Sequence, residues 1–317
     1  LGPLAAEHAI AAKILEYREV AKLKSTYVDA LPALVDEKTG RLHTTFHQLG
    51  AATGRLSSTN PNLQNIPVRT PAGKAVRRAF VPSDAGLALV AADYSQIELR
   101  LFAHLSQDDN LVAAFASGHD AHAYTARRVF GVPDDMPLDP ELRRRAKAIN
   151  FGVLYGMGSF GLAQSAGITR AEAREFIAQY FARFPRIKDY IDAGLARART
   201  DGYVTTVFGR RRYLPDLHSS NHGLRAAAER MAINAPLQGS AADLVKLAMV
   251  RAARGIEAAK LDAHMLLQVH DELIFEVPTK DISRLRDVVA EAMEGAMRLA
   301  VPLVANFSSG PTWADLE

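Results

Sequence analysis

The stretch LALVAADYSQIELR (residues 87–100) decides the fold, because its apolar run over residues 87–92 stops abruptly at an acid, Asp93. A short, unbroken apolar run that ends in polar residues predicts a buried strand. Asp93 would then lie at the end of that strand. A single acid in such a place is more often a turn former than a functional group, so its meaning depends on what accompanies it.

A second acid ends a second apolar run. Residues 265–269 and 273–277 predict two strands joined by His270, Asp271 and Glu272, with Asp271 at the hairpin tip. If the two aspartates converge, they would hold a pair of divalent cations roughly 3.5 to 4 Å apart, an arrangement that serves in-line phosphoryl displacement. Magnesium suits such a site, because it binds through one or two carboxylates together with substrate phosphates. No dense His/Cys cluster favours a softer metal.

Composition excludes several other classes of protein. The 317 residues are 48% hydrophobic and carry a net charge of +3, which predicts a globular chain that buries a large core. Without cysteine, the chain has no disulfide, thiolate metal site or cysteine nucleophile. The sequence has no apolar run long enough to span a membrane and no signal-peptide pattern at its start. We therefore expect a soluble, intracellular protein without a membrane partner, and we further predict that it is a monomer.

Arginines are clustered in several places along the chain. The clusters are Arg77-Arg78, Arg127-Arg128, Arg143 to Arg145 and Arg210 to Arg212. Any one of them is more often an ordinary solvated face, but several in one chain favour a nucleic-acid partner.

One predicted helix has a graded face. Asp139 and Pro140 are typical of an N-cap and a first helical residue. The residues that then recur every four positions are Arg143, Lys147, Phe151 and Tyr155. They would project from one face over roughly 18 Å, cationic at one end and aromatic at the other. A nucleoside triphosphate matches this face, although a surface helix with extended cationic side chains would have the same pattern. The chain has no GxxxxGK[ST] phosphate loop, which argues against a P-loop ATPase.

Helical periodicity is concentrated in the middle of the chain. Residues 105–223 are mostly helical in pattern, whereas the strand-like runs lie mainly on either side. Helices are also predicted over residues 8–30 and 282–298, and residues 53–67 are predicted to be loop outside the core. The fold class is therefore α+β, with a sheet built from two discontinuous parts of the chain and interrupted by a helical insertion.

Three motifs together resemble the signatures of family A DNA polymerases, the bacterial DNA polymerase I type. They are DYSQIELR (residues 93–100), RRRAKAINFGVLYG (residues 143–156) and VHDE (residues 269–272). Residues 53–67 and 233–243 resemble further segments of that family. The resemblance implies a right-hand architecture with a mostly antiparallel palm sheet, helical fingers and an incomplete helical thumb. The implied boundaries are 1–45 for the partial thumb, 46–104 and 224–317 for the palm, and 105–223 for the fingers.

The resemblance also implies roles for individual residues. Asp93 and Asp271, with the backbone carbonyl of Tyr94, would bind two Mg²⁺ ions, for which Mn²⁺ may substitute. The implied catalytic residues are Asp93, Asp271, Glu272 and Lys147. The implied nucleotide-binding residues are Gln96, Glu98, His122, Arg143, Lys147, Phe151 and Tyr155. The implied DNA-binding residues are Arg55, Gln64, Asn65, Arg230, Asn234, Gln238 and His270.

Two of these residues have competing interpretations. Ser95 to Glu98 fits a helix capping box, whereas in the family the matching glutamate blocks a ribose 2′-hydroxyl. Phe151 fits core packing, whereas its place in the family motif implies that it disfavours dideoxynucleotides.

The implied activity is template-directed transfer of a deoxynucleotidyl group from a dNTP to a primer 3′-hydroxyl, without proofreading, by a chain that is a fragment of a longer polymerase. Its partners would be primer-template DNA and dNTPs, in the nucleoid if the source is bacterial. One alternative is a primer-template-binding fragment with little or no turnover because its thumb is incomplete. A third possibility is a related polymerase that uses an RNA template or ribonucleotides.

Overall fold

A four-stranded antiparallel sheet organises the molecule in the computed structural model, which describes residues 1–68, 70–116, 118 and 120–316. The strands are β1 (Thr45–His47), β2 (Ser57–Thr59), β3 (Leu87–Tyr94), β4 (Tyr203–Thr205), β5 (Arg211–Tyr213), β6 (His264–Val269), β7 (Glu272–Pro278) and β8 (Ala305–Gly310). The central sheet has the order β6-β7-β3-β8, and β1-β2 and β4-β5 form separate hairpins. Strand β3 therefore pairs with strands that follow it in the chain by more than 170 residues.

The rest of the regular structure consists mostly of α-helices. They are α1 (Ala9–Leu23), α2 (Ala30–Ala33), α3 (Pro71–Arg78), α4 (Ile97–Ser106), α5 (Asp109–Ala116), α6 (Ala121–Phe130), α7 (Pro140–Leu154), α8 (Ser159–Ala166), α9 (Arg170–Arg183), α10 (Pro185–Asp201), α11 (His222–Ala258) and α12 (Ile282–Glu294). Helices α4 to α11 lie in sequence between β3 and β6. The predicted α+β class, with a sheet interrupted by a helical insertion, is confirmed.

The side chains of the sheet alternate between two faces, and both faces are buried. Val90, Ala92 and Tyr94 of β3 belong to the large core that also contains residues of α4, α7, α9, α11 and α12. Leu89 and Ala91 belong to a second cluster with residues of the first 31 positions and with the C-terminal Trp313 and Leu316. Since Asp93 has the same parity as the second set, its side chain lies on that face of the sheet.

The N-terminal helical segment follows the prediction with one irregularity. Between α1 and α2 the chain forms a π-helix at Lys24–Val28. Buried Tyr27 in this turn donates a hydrogen bond to the Asn65 carbonyl at 2.6 Å. The N-terminal helix is thereby fixed to the segment that precedes the sheet.

Some predicted boundaries and environments were wrong. The segment over residues 53–67 contains β2 and a 3₁₀ turn at Leu63–Asn65, and Ser58, Leu63 and Ile66 are buried. The Ser58 hydroxyl accepts the Leu63 N–H at 3.0 Å, which lets a polar stretch enter the core. Helix α12 ends at Glu294 rather than at residue 298, and Glu272 opens β7 instead of lying in the turn.

Candidate active site

The two predicted acids lie side by side. Asp93 is opposite Glu272 in the ladder between β3 and β7, and the Tyr94 N–H donates to the Asp271 carbonyl at 3.2 Å. The hairpin reverses through only two residues, and His270 takes the left-handed conformation that the turn requires, with φ of 56°. Antiparallel register thus brings together two acids that are far apart in sequence.

Both carboxylates are in surroundings that disfavour their charged form. Burial, with the neighbouring charge of Asp271, raises the pKa of Asp93 to about 7. Burial also raises the pKa of Asp271, although its own backbone N–H, His270 and Arg55 oppose that rise. No Lys or Arg of the described residues forms an ion pair with Asp93. Two adjacent, poorly solvated carboxylates, neither of which forms an ion pair with a described residue, are a suitable donor set for a divalent cation.

The Tyr94 side chain is not available to such a cation, because its ring is buried and its hydroxyl donates to the Met293 carbonyl at 2.6 Å. Only the backbone of Tyr94 is left at the site, and its role as a carbonyl ligand stays a prediction. Within the described ranges, no group of three or more His, Asp or Glu side chains has metal-site geometry. The candidate cation site therefore depends on two carboxylates, with the remaining ligands supplied by backbone, water or substrate.

A cleft of about 730 Å³ opens beside the acids. Its lining includes Asp93, Asp271, Glu272, His270, Gln64 and Asn65. Asn306 of β8, which is opposite Asp93 in the ladder, also lines it. These residues come from four separate parts of the chain and meet on the sheet face that carries Asp93.

Glu98 is paired on both carboxylate oxygens. The Arg55 guanidinium donates to Oε1 at 2.6 Å and the Tyr155 hydroxyl donates to Oε2 at 2.8 Å. Glu98 is 8% exposed, and burial raises its pKa, although Tyr155 and Arg55 oppose that rise. Burial and the charge of Glu98 also raise the pKa of Tyr155. This triad joins three predicted site residues from distant positions.

The capping-box interpretation of Ser95 and Glu98 is wrong. The N-cap of α4 is Gln96, which is left-handed with φ of 53° and makes no capping hydrogen bond through its side chain. Ser95 thus lies outside the helix, and Glu98 is its second residue, so the two do not occupy the N-cap and third positions that a box needs. The Gln96 Oε1 atom is buried without a hydrogen-bond partner among the described residues.

The graded face of α7 is present, but its aromatic end extends beyond the last helical residue. Asp139 caps the helix by accepting the Glu141 N–H at 2.8 Å. Lys147 is exposed, and Arg143 is engaged by Asp120 at 2.5 Å. Tyr155 lies beyond the last helical residue, as the C-cap, and its ring is nearly parallel to that of Phe151 at 6.1 Å. Phe151 is only partly buried, so it is not a simple core residue.

His122 is adjacent to this face. It is 4% exposed, its ring centre is 5.7 Å from that of Phe151, and its Nδ1 atom is 3.0 Å from the Asn150 amide nitrogen. Burial lowers the pKa of His122 to about 4, an effect to which Lys147 and Arg143 add and which Asp120 opposes. The imidazole is therefore neutral near pH 7 and can contact a phosphate as a hydrogen-bond donor, but not as a cation.

Arg230, Asn234 and Gln238 recur every four residues along α11 and so share one side of it. Gly156, just after α7, packs directly on this helix: a Cβ there would be 2.9 Å from Ile233 Cδ1 and 3.5 Å from the Arg230 Cα. Its φ of 64° also favours glycine. The close approach puts the DNA-binding candidates of α11 next to the aromatic end of α7.

Three residues at the site escaped sequence reasoning. Gln268 is buried in β6 and accepts from Gln64 Nε2 at 3.1 Å through both its carbonyl and its side chain. Its own amide donates to the His270 carbonyl, which ties the hairpin tip to the Gln64 segment. A glutamine within the apolar run MLLQV was the available signal. Asn306, on β8 opposite Asp93, gave no such signal.

Arg210 is the third. It was grouped with a basic cluster, yet its guanidinium points inward, donating to Asp243 Oδ1 at 3.0 Å, to the Thr53 carbonyl at 2.7 Å and to the Gly239 carbonyl at 3.0 Å. It thereby fixes the segment that leads to Arg55 against α11. Arg77 is likewise internal, 5% exposed and 4.5 Å from the centre of the Trp313 ring.

Comparison with known proteins agrees with this arrangement. The family model described as DNA polymerase family A matches residues 1–315, and the chain belongs to that family. Among its relatives, DNA polymerase I of Geobacillus stearothermophilus is 50% identical over the whole chain, and that of Chloroflexus aurantiacus is 55% identical over 98% of it. The thermostable DNA polymerase I of Thermus aquaticus is 53% identical over 98% of the chain. The predicted family is confirmed.

The match covers only part of each relative. The chain spans 36%, 33% and 37% of these three proteins, respectively, or about a third of their length. Among solved structures, the POL domain of Pol1 from M. smegmatis, in complex with DNA primer-template and dNTP, superposes with a TM-score of 0.90 at 50% identity. That alignment covers 95% of this chain and 53% of the other.

Proposed function

We propose that this chain carries out template-directed DNA synthesis, transferring a deoxynucleotidyl group from a dNTP to a primer 3′-hydroxyl. The observation that carries the proposal is the adjacency of Asp93 and Asp271 at one end of the sheet, beside a cleft. Membership of family A and the DNA- and dNTP-bound structural relative support it.

The acids would bind the metal ions, and helix α7 would bind the nucleotide. Asp93, Asp271 and the Tyr94 carbonyl would hold two Mg²⁺ ions, or Mn²⁺ in their place, with Glu272 beside them. When bound, such cations activate the attacking hydroxyl and neutralise charge on the pyrophosphate leaving group. Arg143 and Lys147 bind the triphosphate, which requires Arg143 to leave Asp120 or to contact both.

The base and sugar of the nucleotide lie against the aromatic end of the same face. Phe151 and Tyr155 present stacked rings there, with Gln96 and Glu98 nearby at the start of α4. Glu98, which Arg55 and Tyr155 hold in place, obstructs a ribose 2′-hydroxyl and so favours deoxynucleotides. Phe151 lacks a phenolic hydroxyl, and dideoxynucleotides are disfavoured for that reason.

Primer-template DNA contacts the cleft and the polar side of α11. The residues that would contact it are Arg55, Gln64, Asn65, Arg230, Asn234, Gln238 and His270. Donors of these types can test base pairing without reading sequence, because every base pair offers minor-groove acceptors. Gln64 and Asn65 line the cleft beside the acids, and this position supports their proposed contact with a primer end.

The larger organisation follows the same scheme. We assign residues 46–104 and 224–317 to a palm, 105–223 to fingers and 1–45 to part of a thumb. No helix in the described part of the chain is both long and apolar enough to cross a membrane. We infer a monomer that works on DNA in the cytoplasm, since its relatives are bacterial DNA polymerases.

Extension of a labelled primer on a DNA template, with Mg²⁺ and the four dNTPs, tests the proposal. We expect extension by the unaltered chain and its loss in Asp93→Asn and Asp271→Asn, with the folded state retained. Primer-template binding without extension by the unaltered chain would instead indicate a DNA-binding fragment. Extension that needs ribonucleotides or an RNA template would indicate the related polymerase class.

A further inference from the structure

A buried polar trio joins α6 to α7 behind the nucleotide face. It consists of His122, Thr125 and Asn150, of which Thr125 and Asn150 have no exposed surface. The Asn150 Nδ2 atom is 3.0 Å from His122 Nδ1 and 3.1 Å from Thr125 Oγ1. Buried side-chain amides cost free energy unless they are hydrogen-bonded, so this arrangement specifies how the two helices pack.

The direction of each hydrogen bond can be deduced from Thr125. Its hydroxyl donates to the Ala121 carbonyl at 2.8 Å, and its oxygen must therefore accept at its other contacts. The shorter contact with the amide of Asn150, 3.1 Å to Nδ2, meets this need, whereas Oδ1 is farther away at 3.3 Å. In the reversed amide, two acceptors would face each other at the shorter distance. The second hydrogen of Nδ2 then points to His122 Nδ1.

We propose that Asn150 is a positioning residue that holds His122 Nδ1 as a hydrogen-bond acceptor, so that the ring carries its proton on Nε2 and offers that N–H to a phosphate oxygen of the bound nucleotide. The inference rests on the proposed function only for the identity of the ligand. An amide nitrogen can donate but not accept, so the tautomer follows from the geometry.

The surroundings of His122 agree with a neutral ring. The charged groups that face it are Asp120 at the start of α6 and Arg143 and Lys147 on α7. Because Asp120 is engaged by Arg143, its charge is partly compensated, and burial keeps the pKa of His122 low. Because the ring stays neutral, its tautomer decides which ring nitrogen can donate a hydrogen bond. No acceptor among the described residues takes the Nε2 hydrogen.

The tautomer can be read directly by NMR. Two-bond ¹H–¹⁵N correlation of the ¹⁵N-histidine-labelled chain distinguishes Nε2–H from Nδ1–H rings, and the spectrum of His122→Gln identifies the His122 signals. We expect the Nε2–H pattern at neutral pH without any ligand. An Nδ1–H or doubly protonated His122 in the unaltered chain overturns the proposal, whether or not the chain polymerises DNA.

A double-mutant cycle tests the consequence for nucleotide binding. In the unaltered background, Asn150→Leu should raise KM for dNTP about tenfold with a smaller change in kcat, since a hydrogen bond to a charged group is lost or misdirected. In the His122→Gln background, whose amide supplies its own N–H, Asn150→Leu should change KM little. Equal effects in the two backgrounds mean that Asn150 acts only on packing, which overturns the proposal.

Ser106→Ala is a matched control. Ser106 is also buried, and its hydroxyl donates to a backbone carbonyl, that of Phe102, at 2.6 Å. Loss of that hydrogen bond should lower the free energy of unfolding by an amount comparable to that for Asn150→Leu. It should change neither KM for dNTP nor the His122 signals. A chain with the Nε2–H ring but no primer extension would refute the proposed function and leave the tautomer assignment intact.

Discussion

Asp93 is an acid whose surroundings oppose its ionisation, and a compensating cation would reverse that effect. Burial and Asp271 raise its pKa from 3.8 to about 7. Functional sites often retain such destabilised groups because the ligand that relieves them is the substrate or its metal. The same feature gives the isolated chain a pH dependence that can be measured without any assay of activity.

In the presence of a chelator, the contribution of Asp93 to the free energy of unfolding should fall as pH rises from about 4 to about 7, against the opposite contribution of His122, whose pKa is lowered to about 4. Between those values the folded state holds a proton on Asp93 that the unfolded state has released, so raising the pH favours unfolding. We expect this contribution to fall by about 3 kcal/mol, measured by urea denaturation of the unaltered chain and of Asp93→Asn across this range.

Asp93→Asn should remove most of this slope and raise stability near pH 7. Adding Mg²⁺ near pH 7 should stabilise the unaltered chain more than the variant. A slope unchanged by the substitution would show that Asp93 is not the group that titrates.

Glu98→Ala should increase ribonucleotide incorporation. The substitution opens the space that a 2′-hydroxyl needs and releases Arg55 and Tyr155 from their contacts. The ratio of kcat/KM for a dNTP to that for the matching ribonucleotide should fall by about tenfold or more in single-nucleotide primer extension.

Ser95→Ala serves as the control for Glu98, because the structure shows no capping box. It should change the free energy of unfolding by about 0.5 kcal/mol or less and leave sugar selectivity as it was. A cost of about 1 kcal/mol or more would restore the capping interpretation.

Elements meet at this site through close backbone approach as well as through side chains. Helix α11 runs for 37 residues, packs in the large core with Val90, Ala92 and Tyr94 of β3, and carries Arg230, Asn234 and Gln238 along one side. Gly156 lets the end of α7 press against it. The packing of the end of α7 against the side of α11 that carries Arg230 thus requires a residue without a side chain at position 156.

Gly156→Ala should destabilise the chain by about 1 to 2 kcal/mol, because alanine there is both crowded by Ile233 and strained at φ of 64°. Primer extension should slow as α7 and α11 separate. Thermal denaturation with and without the substitution gives the measurement.

Gly194→Ala should have the opposite effect on stability. Gly194 is inside α10 with no atom near its would-be Cβ, so alanine should stabilise by up to about 1 kcal/mol. If both substitutions acted alike, the close packing of α7 on α11 would not be the cause.

The molecule as a whole is held together by its central sheet. The two hydrophobic clusters lie on opposite faces of it, and β3 and β7 contribute side chains to both. If either cluster unfolded, the sheet would be disrupted and the other cluster would be exposed to water. The two clusters should therefore unfold together.

Trp313 makes this testable, since it is the single tryptophan and lies in the smaller cluster. Its fluorescence and far-ultraviolet circular dichroism, which reports mainly the helices of the larger core, should give the same midpoint in guanidinium chloride. Separate midpoints would mean that the two faces fold independently.

The sequence by itself determined the strands β3, β6 and β7, the cap and start of α7, the α+β class and the family. These depend on local patterns: apolar runs that stop at polar residues, proline after an N-cap, and motifs read in order. The sequence predicted the adjacency of Asp93 and Asp271 only on the condition that the hairpin pairs with β3. An apolar pattern identifies a strand but does not show which strand lies next to it.

Only the tertiary structure decided which partners the polar side chains take. Glu98 satisfies Arg55 and Tyr155 instead of a helix end, Arg210 turns inward to Thr53, and Asn150 sets the hydrogen bonding of His122. Each pairing joins residues 25 or more positions apart, and its direction depends on rotamers and helix packing. Local periodicity carries no information about those, because the same residue spacing is compatible with a solvated face, a cap or a buried network.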